Sequence, residues 1–185
     1  MKMPDGRFMR CAAIAIACAS AQAPMGLAET GDHVRMSLDW RDRVTRQTED
    51  VTCLAAALST LLRFQLAREI PEADIVSAML GDRGLPQIRV QGGFSLGDAL
   101  DFLEERGYAG WGERGLELEE LAMRLPAIVQ VTTTGTTDAA HHFVVVLHAT
   151  GGRFAVADPA TGGQWLPASH LARRWTGIAF FLDAS

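Results

Sequence analysis

The chain has 185 residues and a mass of 20.0 kDa, which predicts one domain with short extensions, since domains average roughly 100 to 200 residues. Its 48% hydrophobic and 21% charged residues are typical of a packed globular protein and not of a disordered one. The net charge of −5 argues against a nucleic-acid-binding protein, because such proteins need a concentrated basic surface to displace phosphate counterions.

The first segment has the layout of a secretory signal peptide. Lys2, Arg7 and Arg10 precede an apolar run over residues 11–21, and small residues follow it at alternate positions. The run is too short to cross a bilayer as a helix, which takes roughly 20 residues. We therefore expect residues 1–28 to be removed and the mature chain to be periplasmic or secreted.

Two alternatives stay open at this end of the chain. Cleavage after Ala23 would place Pro24 next to the cut, so cleavage after Ala28 is favoured. The second alternative is a lipoprotein signal that uses Cys18, with an unusually short apolar run before the cysteine. No later stretch reaches membrane-spanning length, so we expect no membrane span after signal cleavage.

Cys53 is the only cysteine of the expected mature chain, because Cys11 and Cys18 lie within residues 1–28. Cysteines in oxidising compartments normally form disulfide pairs, and Cys53 has no partner of this kind in the mature sequence. A solitary thiol is either buried and inert or retained for its reactivity. The sequence around Cys53 distinguishes between these two interpretations.

Helices are predicted in the first half of the mature chain, after an irregular lead-in over residues 29–45. Leucines recur at helical intervals after Cys53 with alanines between them, and Asp50 or Thr52 is placed to cap this helix. Three further helices, each bounded by start and stop residues, are predicted at 71–81, 95–107 and 118–126.

The second half changes to short β-rich runs separated by Gly, Pro and Thr. Four strands are predicted, at 127–132, 143–149, 153–157 and 176–182. We expect a hairpin turn at 150–152 and a mobile loop over 132–140. Helices followed by strands predict one α+β domain over residues 46–183 with a mostly antiparallel sheet.

The predicted position of Cys53 favours reactivity. A thiol in the first turn of a helix lies at the positive end of the helix dipole, which favours the thiolate over the thiol. A nucleophilic cysteine also needs a base, usually histidine, and a third group that orients the imidazole. The chain offers five histidines as candidates for the base: His33, His141, His142, His148 and His170.

His142 and Asp158 are the candidates for the base and its orienting group. His142 opens the most apolar predicted strand, and Asp158 follows the next strand. If the two strands form a hairpin around Gly151 and Gly152, their outer ends converge and the two residues become neighbours. Each also has an ordinary structural interpretation, Asp158 as a turn former before Pro159 and His142 as a strand-end histidine with a backbone partner.

Taken together, these segments resemble the C39 family of cysteine peptidases, papain-like proteins that remove double-glycine leader peptides. The resemblance runs from about Arg46 to Leu182 and is carried by RQTEDVTCLAAALSTLL, GGFSLGDALDFLEERGY and HHFVVVLHATGGRFAVADPATG. It implies a papain-like cysteine peptidase fold, in which N-terminal helices pack on a C-terminal, mostly antiparallel sheet.

The resemblance also implies roles for four residues. Cys53 would be the nucleophile, His142 the general base and acid, and Asp158 the group that orients His142. Gln47, which alone would be taken for a surface glutamine, would bind the oxyanion with its side-chain amide. His142 is preferred to His141 because it directly precedes the aromatic-Val-Val run, and adjacent strand residues point to opposite faces.

The expected function is that of a periplasmic cysteine peptidase that cuts a secreted substrate or leader after small or double-glycine residues. Leu54 replaces the glycine that the family usually has after its cysteine, and we expect its side chain near the path of the substrate backbone. This residue favours an alternative, a weak or inactive peptide-binding module of a secretion system. A third hypothesis is acyl transfer by the same residues.

Neither a cofactor nor a metal is expected, because the sequence has no metal-ligand spacing. It also lacks the GxxxxGK[ST] phosphate loop of ATP-hydrolysing exporters, so no ATP site is expected in this chain. The expected partners are a peptide or protein substrate and a component of a secretion system.

Overall fold

The structure is a computed structural model that describes residues 40–133 and 141–183. The predicted signal peptide, most of the lead-in, His33 and most of the loop predicted at 132–140 lie outside these residues. Within them the chain forms a 3₁₀ helix at Trp40–Arg43, six α-helices and six strands.

The elements form one antiparallel sheet with helices packed on it. The helices are α1 Cys53–Leu66, α2 Glu72–Leu80, α3 Leu85–Gln91, α4 Leu96–Glu104, α5 Leu118–Ala122 and α6 Ala168–Arg174. The strands are β1 Gly110–Arg114, β2 Ala127–Thr132, β3 His141–Thr150, β4 Arg153–Asp158, β5 Gly162–Pro167 and β6 Trp175–Leu182. Their order in the sheet is β1-β6-β2-β3-β4-β5, with every neighbouring pair antiparallel. The predicted α+β fold is confirmed.

The central helix is α1. Every residue from Cys53 to Leu62 is buried, which is typical of a helix that is surrounded by protein and not of one with a solvent face. The leucines fill the core, while Ala55, Ala56 and Ala57 are small enough to allow close approach of neighbouring elements. The helix packs on β3 and also contacts α2 and α4. The start of α1 is therefore held rigidly against the sheet.

The sheet has an apolar core on each face. Alternate residues of β3, from Phe143 to Leu147, share a core with α1, whereas Val144 and Val146 share a second core with Leu121 of α5 and Leu171 of α6. This alternation is the two-residue period of a strand. The expectation of N-terminal helices on a C-terminal sheet is therefore incomplete, because α6 follows β5 in sequence and covers the second face.

The hairpin of β3 and β4 forms at the predicted turn. Gly151 and Gly152 have φ of 54° and 71°, in the left-handed region that glycine adopts without steric cost and that a two-residue hairpin turn requires. The register shifts at a β-bulge between Val146 and His148. The outer ends of the two strands therefore converge, but with an offset that the sequence does not reveal.

Five of the observed elements have no counterpart among the predicted ones: the 3₁₀ helix, α3, α6, β1 and β5. The other four helices and four strands agree with the predicted ones to within a few residues at each end. Over residues 40–133 and 141–183, no helix has the length and hydropathy needed to cross a membrane.

Candidate active site

Cys53 is the first residue of α1 and is 8% exposed. Thr52 holds the N-cap position, as one of the two predicted caps, but its side chain makes no hydrogen bond to the first turn of the helix. Its hydroxyl instead contacts Glu49 and Glu72, as described below. The thiol thus lies at the positive end of the buried 14-residue helix.

His142 and Asp158 lie in contact at the open end of the hairpin. The distance from His142 Nε2 to Asp158 Oδ1 is 2.7 Å, and the two side chains are 12% and 8% exposed. Val145 pairs with Ala157 across the ladder, so the same register sets Asp158 opposite Val144 and diagonal to His142. Diagonal neighbours on one face are within reach of long side chains, and the hairpin brings these two together.

Asp158 has a second set of bonds in the turn between β4 and β5. Its Oδ1 also accepts a hydrogen bond of 2.8 Å from the Ala160 N–H, so Asp158 is a turn former as well as the partner of His142. Burial by itself would raise the pKa of Asp158, but the hydrogen bond and charge of His142, with the bonds from Ala160 and Thr161, hold that pKa below its ordinary value. The carboxylate is therefore ionised at neutral pH.

The thiol of Cys53 also interacts with the imidazole of His142 and favours its charged form. Burial disfavours the imidazolium, but the hydrogen bonds and charges of Asp158 and Cys53 outweigh it and raise the pKa of His142 from 6.5 to about 9. Because Nε2 faces Asp158, Nδ1 is the ring nitrogen left for the thiol. The arrangement favours the imidazolium form of His142 at neutral pH.

Gln47 lies on the loop that leads into α1. Its backbone N–H donates to Pro159 O at 3.1 Å, and its side-chain Nε2 donates to Glu49 O at 2.9 Å. Its Oε1 is buried and has no hydrogen-bond partner among the described residues. An amide nitrogen carries two N–H donors, so one donor remains for a substrate oxygen after the bond to Glu49.

Arg46 fastens the same loop to the turn after Asp158. Its Nε donates to Pro159 O at 3.0 Å, and Nη2 donates to Ala160 O. Gly162 leaves room for this side chain, because a Cβ there would lie 3.3 Å from Arg46 Nη1. Sequence reasoning assigns no role to Arg46, since its two acceptors are backbone carbonyls more than a hundred residues away.

Glu72 is a second residue near the site that sequence reasoning misses. Its sequence context indicates only an acidic residue at a helix start, but the side chain is buried and accepts hydrogen bonds from the loop before Cys53. The sequence signal that could have found it is weak, because acidic residues in a first helical turn are common on exposed helices.

The expectation for Leu54 is wrong. Its side chain is fully buried, with 0% exposed, within the core that contains α1. The reason is the helical period, which turns Leu54 about 100° away from Cys53 and into the core. Leu54 therefore does not line an open substrate path, and the feature that favoured a non-cleaving module is removed.

The other described histidines do not join this group. His141 is exposed at the start of β3, and His148 packs edge-to-face on Trp165 with ring centroids 6.3 Å apart. His170 lies on α6 and lines a small cavity with Asp158, but among the described residues no hydrogen bond joins it to His142. In the part of the chain that the structure describes, no cluster of three or more His, Cys, Asp or Glu could hold a metal ion.

Comparison with known proteins shows a likeness to peptidases. The profile of the peptidase C39 family matches residues 112–185, a segment that includes His142 and Asp158 but not Cys53. Over this segment the chain resembles the peptidase C39 family. It is 32% identical over 139 residues to the probable functional amyloid protease FapD of Pseudomonas aeruginosa. The aligned segment covers 74% of this chain and 58% of that protein. The chain thus spans a little more than half the length of that curated relative.

Solved C39 structures share the fold. The peptidase domain of Streptococcus ComA, a bi-functional ABC transporter, superimposes with a TM-score of 0.61 at 16% identity and covers 75% of this chain and 96% of that one. A double glycine motif protease from an AMS/PCAT transporter, solved with its leader peptide, gives a TM-score of 0.56 at 25% identity over 75% of this chain and 89% of that one. The six-stranded sheet and its helices are therefore those of a C39-like peptidase domain.

Proposed function

We propose that this chain is a cysteine peptidase that acts on exported polypeptides in the periplasm or outside the cell. Cys53 is the nucleophile, His142 the general base and acid, and Asp158 the group that orients His142. The observation that carries the proposal is the placement of the His142 imidazole, whose Nε2 lies 2.7 Å from Asp158 Oδ1 and which also interacts with the thiol of Cys53. The match of residues 112–185 to the peptidase C39 family supports the same chemistry.

The first half of the reaction forms an acyl-enzyme. Cys53 Sγ, as the thiolate, attacks the carbonyl carbon of the substrate, and the carbonyl oxygen becomes an oxyanion. When this tetrahedral intermediate collapses, the C–N bond breaks, and the His142 imidazolium gives its proton to the departing amine. A pKa of about 9 keeps that proton on His142 at neutral pH.

The second half hydrolyses the thioester. His142, now neutral, takes a proton from a water molecule that attacks the acyl carbon, and the C–S bond then breaks to release the acid and restore the thiolate. Asp158 accepts a hydrogen bond from Nε2 throughout and keeps Nδ1 directed at the reacting atoms. The buried, ionised carboxylate also stabilises the imidazolium.

Gln47 is proposed to bind the oxyanion together with the backbone N–H of Cys53. Its half-buried side chain has one Nε2 donor beyond the one bound to Glu49 O. Loss of one such donor typically lowers the rate about 10² to 10³-fold.

The proposed substrate is an extended segment with small residues, such as Gly-Gly, before the cut. A narrow cleft accepts glycine where larger side chains would clash. The double glycine motif protease that binds a leader peptide is 25% identical to this chain and supports this substrate class. The printed name of the Pseudomonas relative, a probable functional amyloid protease, supports an exported polypeptide as the source of that segment.

The test is turnover of internally quenched peptides by the purified mature chain. One peptide carries Gly-Gly before the cut, and its matched partner carries Leu-Leu at the same positions. We expect cleavage of the Gly-Gly peptide, a slower reaction with the Leu-Leu peptide, and no cleavage by Cys53→Ala. Binding of the Gly-Gly peptide without any Cys53-dependent cleavage would contradict the proposal and favour a peptide-binding module.

A further inference from the structure

Glu72 is a buried carboxylate that belongs to no role described above. It is the first residue of α2 and is 6% exposed. A buried charge is costly unless hydrogen bonds replace its lost hydration. Its hydrogen-bond partners therefore show which part of the chain Glu72 positions.

Both of these partners come from the loop before α1. Thr48 N–H donates to Glu72 Oε1 at 3.0 Å, and Thr52 Oγ1 donates to the same oxygen at 2.5 Å. Thr48 directly follows Gln47, and Thr52 directly precedes Cys53. One carboxylate oxygen thus binds the loop next to the oxyanion residue and next to the nucleophile.

The bond from Thr52 also affects the side chain of Gln47. A hydroxyl has one proton, and Thr52 Oγ1 lies close to both Glu72 Oε1 and Glu49 O, at 2.5 Å and 3.0 Å. The shorter, charge-assisted bond takes the proton. Glu49 O is then left for the Thr52 N–H and for Gln47 Nε2. Without the carboxylate, the Thr52 hydroxyl would compete with Gln47 for that carbonyl.

We propose that Glu72 is a positioning residue that fixes the loop from Gln47 to Cys53 in its reactive geometry. The inference rests on the proposed peptidase function and adds a residue that touches neither the substrate nor the reacting atoms. Glu72 acts on the oxyanion donor more than on the thiol, because Cys53 is also held by the buried helix α1 that it begins.

The experiment compares three variants of the full mature chain. Glu72→Ala removes the acceptor, and Glu72→Gln keeps an oxygen that can accept both bonds. Asp74→Ala removes a carboxylate from the same turn of α2, where Asp74 is exposed. The measurements are kcat and KM on the Gly-Gly peptide, the rate of Cys53 alkylation by iodoacetamide, and hydrogen exchange of the Thr48 amide.

We expect Glu72→Ala to lower kcat about 10- to 100-fold with KM nearly unchanged, because a small displacement of a catalytic group is costly. Alkylation needs no oxyanion donor, so its rate should change less than about threefold. Glu72→Gln should recover most of kcat, Asp74→Ala should match the wild type, and the Thr48 amide should exchange faster only in Glu72→Ala.

Two results would overturn the inference. One is a Glu72→Ala enzyme with the kcat of Asp74→Ala. The other is a loss of turnover with an equal loss of alkylation and no recovery in Glu72→Gln, which would indicate a merely structural role. If the wild type shows no Cys53-dependent turnover, the peptidase proposal itself fails. In that case the exchange rate of the Thr48 amide tests whether Glu72 fixes the loop. An unchanged exchange rate in Glu72→Ala would reject the positioning role of Glu72 too.

Discussion

His142 Nε2 lies 2.7 Å from Asp158 Oδ1, although the two residues are diagonal neighbours in the hairpin and not directly opposed. The β-bulge between Val146 and His148 sets this offset. Asp158 is buried and His142 half-buried, and the charge and hydrogen bond of Asp158 favour the imidazolium. In this geometry the Nε2 atom of His142 faces Asp158, and its Nδ1 atom is left to face Cys53. The predictions below follow from this arrangement.

Replacement of Asp158 by Asn should change the pH dependence of cleavage. Asparagine can accept the same hydrogen bonds but has no charge, so the pKa of His142 should fall from about 9. Because its pKa is raised, His142 stays protonated until the pH reaches that value. Cleavage, which needs the imidazolium, is lost at higher pH. The alkaline limb of kcat/KM should therefore begin near pH 9 in the wild type. In Asp158→Asn it should move down by about one unit or more.

The pH profiles of the wild type and Asp158→Asn, measured on the Gly-Gly peptide, check this prediction. An alkaline limb at the same pH in both enzymes would show that the charge of Asp158 does not support the imidazolium. Binding of the peptide should change little, because Asp158 does not contact substrate in the proposed mechanism.

The two adjacent histidines should differ sharply. His142→Ala should lower kcat about 10² to 10⁴-fold, the usual contribution of a general acid–base. His141→Ala should stay within about threefold of the wild type, since His141 is exposed and surface substitutions are usually neutral. Steady-state cleavage of the same peptide measures both, and equal losses would contradict the assignment of His142 as the base.

Arg46 should contribute through the two carbonyls that it binds. Arg46→Ala removes the bonds to Pro159 O and Ala160 O, which should lower kcat about tenfold by loosening the Gln47 loop. Arg89→Ala is the matched control, because Arg89 pairs with Glu49 on the same loop but the two side chains are 49% and 43% exposed.

Exposed ion pairs are worth less than about 1 kcal/mol, so kcat and the free energy of unfolding of Arg89→Ala should both be close to the wild type. Cleavage assays and urea denaturation provide the two measurements. A wild-type kcat in Arg46→Ala would mean that the loop holds its geometry without the guanidinium.

Leu54 should matter for stability and not for substrate access. Replacing the fully buried leucine by glycine should cost about 3 to 5 kcal/mol, because a core leucine is lost and glycine disfavours the helix. Leu54→Met conserves volume and should cost less than about 1.5 kcal/mol. Urea denaturation measures these free energies. A glycine variant that is equally stable and cleaves faster would show that Leu54 does obstruct the substrate.

The sequence predicts best those elements whose residues repeat with a clear period. The leucines and alanines after Cys53 indicate α1, and the aromatic-Val-Val run after His142 indicates β3. The edge strands β1 and β5 are GWGER and GGQWLP, whose glycines, charges and proline hide the strand pattern. The short helices α3 and α6 each bury a single residue, so neither shows an apolar face.

The residues of the candidate site also differ in how well local sequence patterns predict them. Cys53, His142 and Asp158 follow from a helix start, a strand start and a hairpin, which are local patterns that also match a family motif. Arg46 and Glu72 act on backbone groups distant in sequence, so no spacing points to them. Their roles become visible only when the loop before α1 is seen between α2 and the turn after β4.

The most direct test of the account is the rate of Cys53 alkylation by iodoacetamide from pH 5 to 9, followed by mass spectrometry, in the wild type and in His142→Ala. The account predicts rapid alkylation of the wild type at pH 6 and its loss in His142→Ala, because the imidazolium stabilises the thiolate. Slow alkylation of the wild type that rises only above about pH 8, as for an ordinary free thiol, would contradict the Cys53–His142 pair.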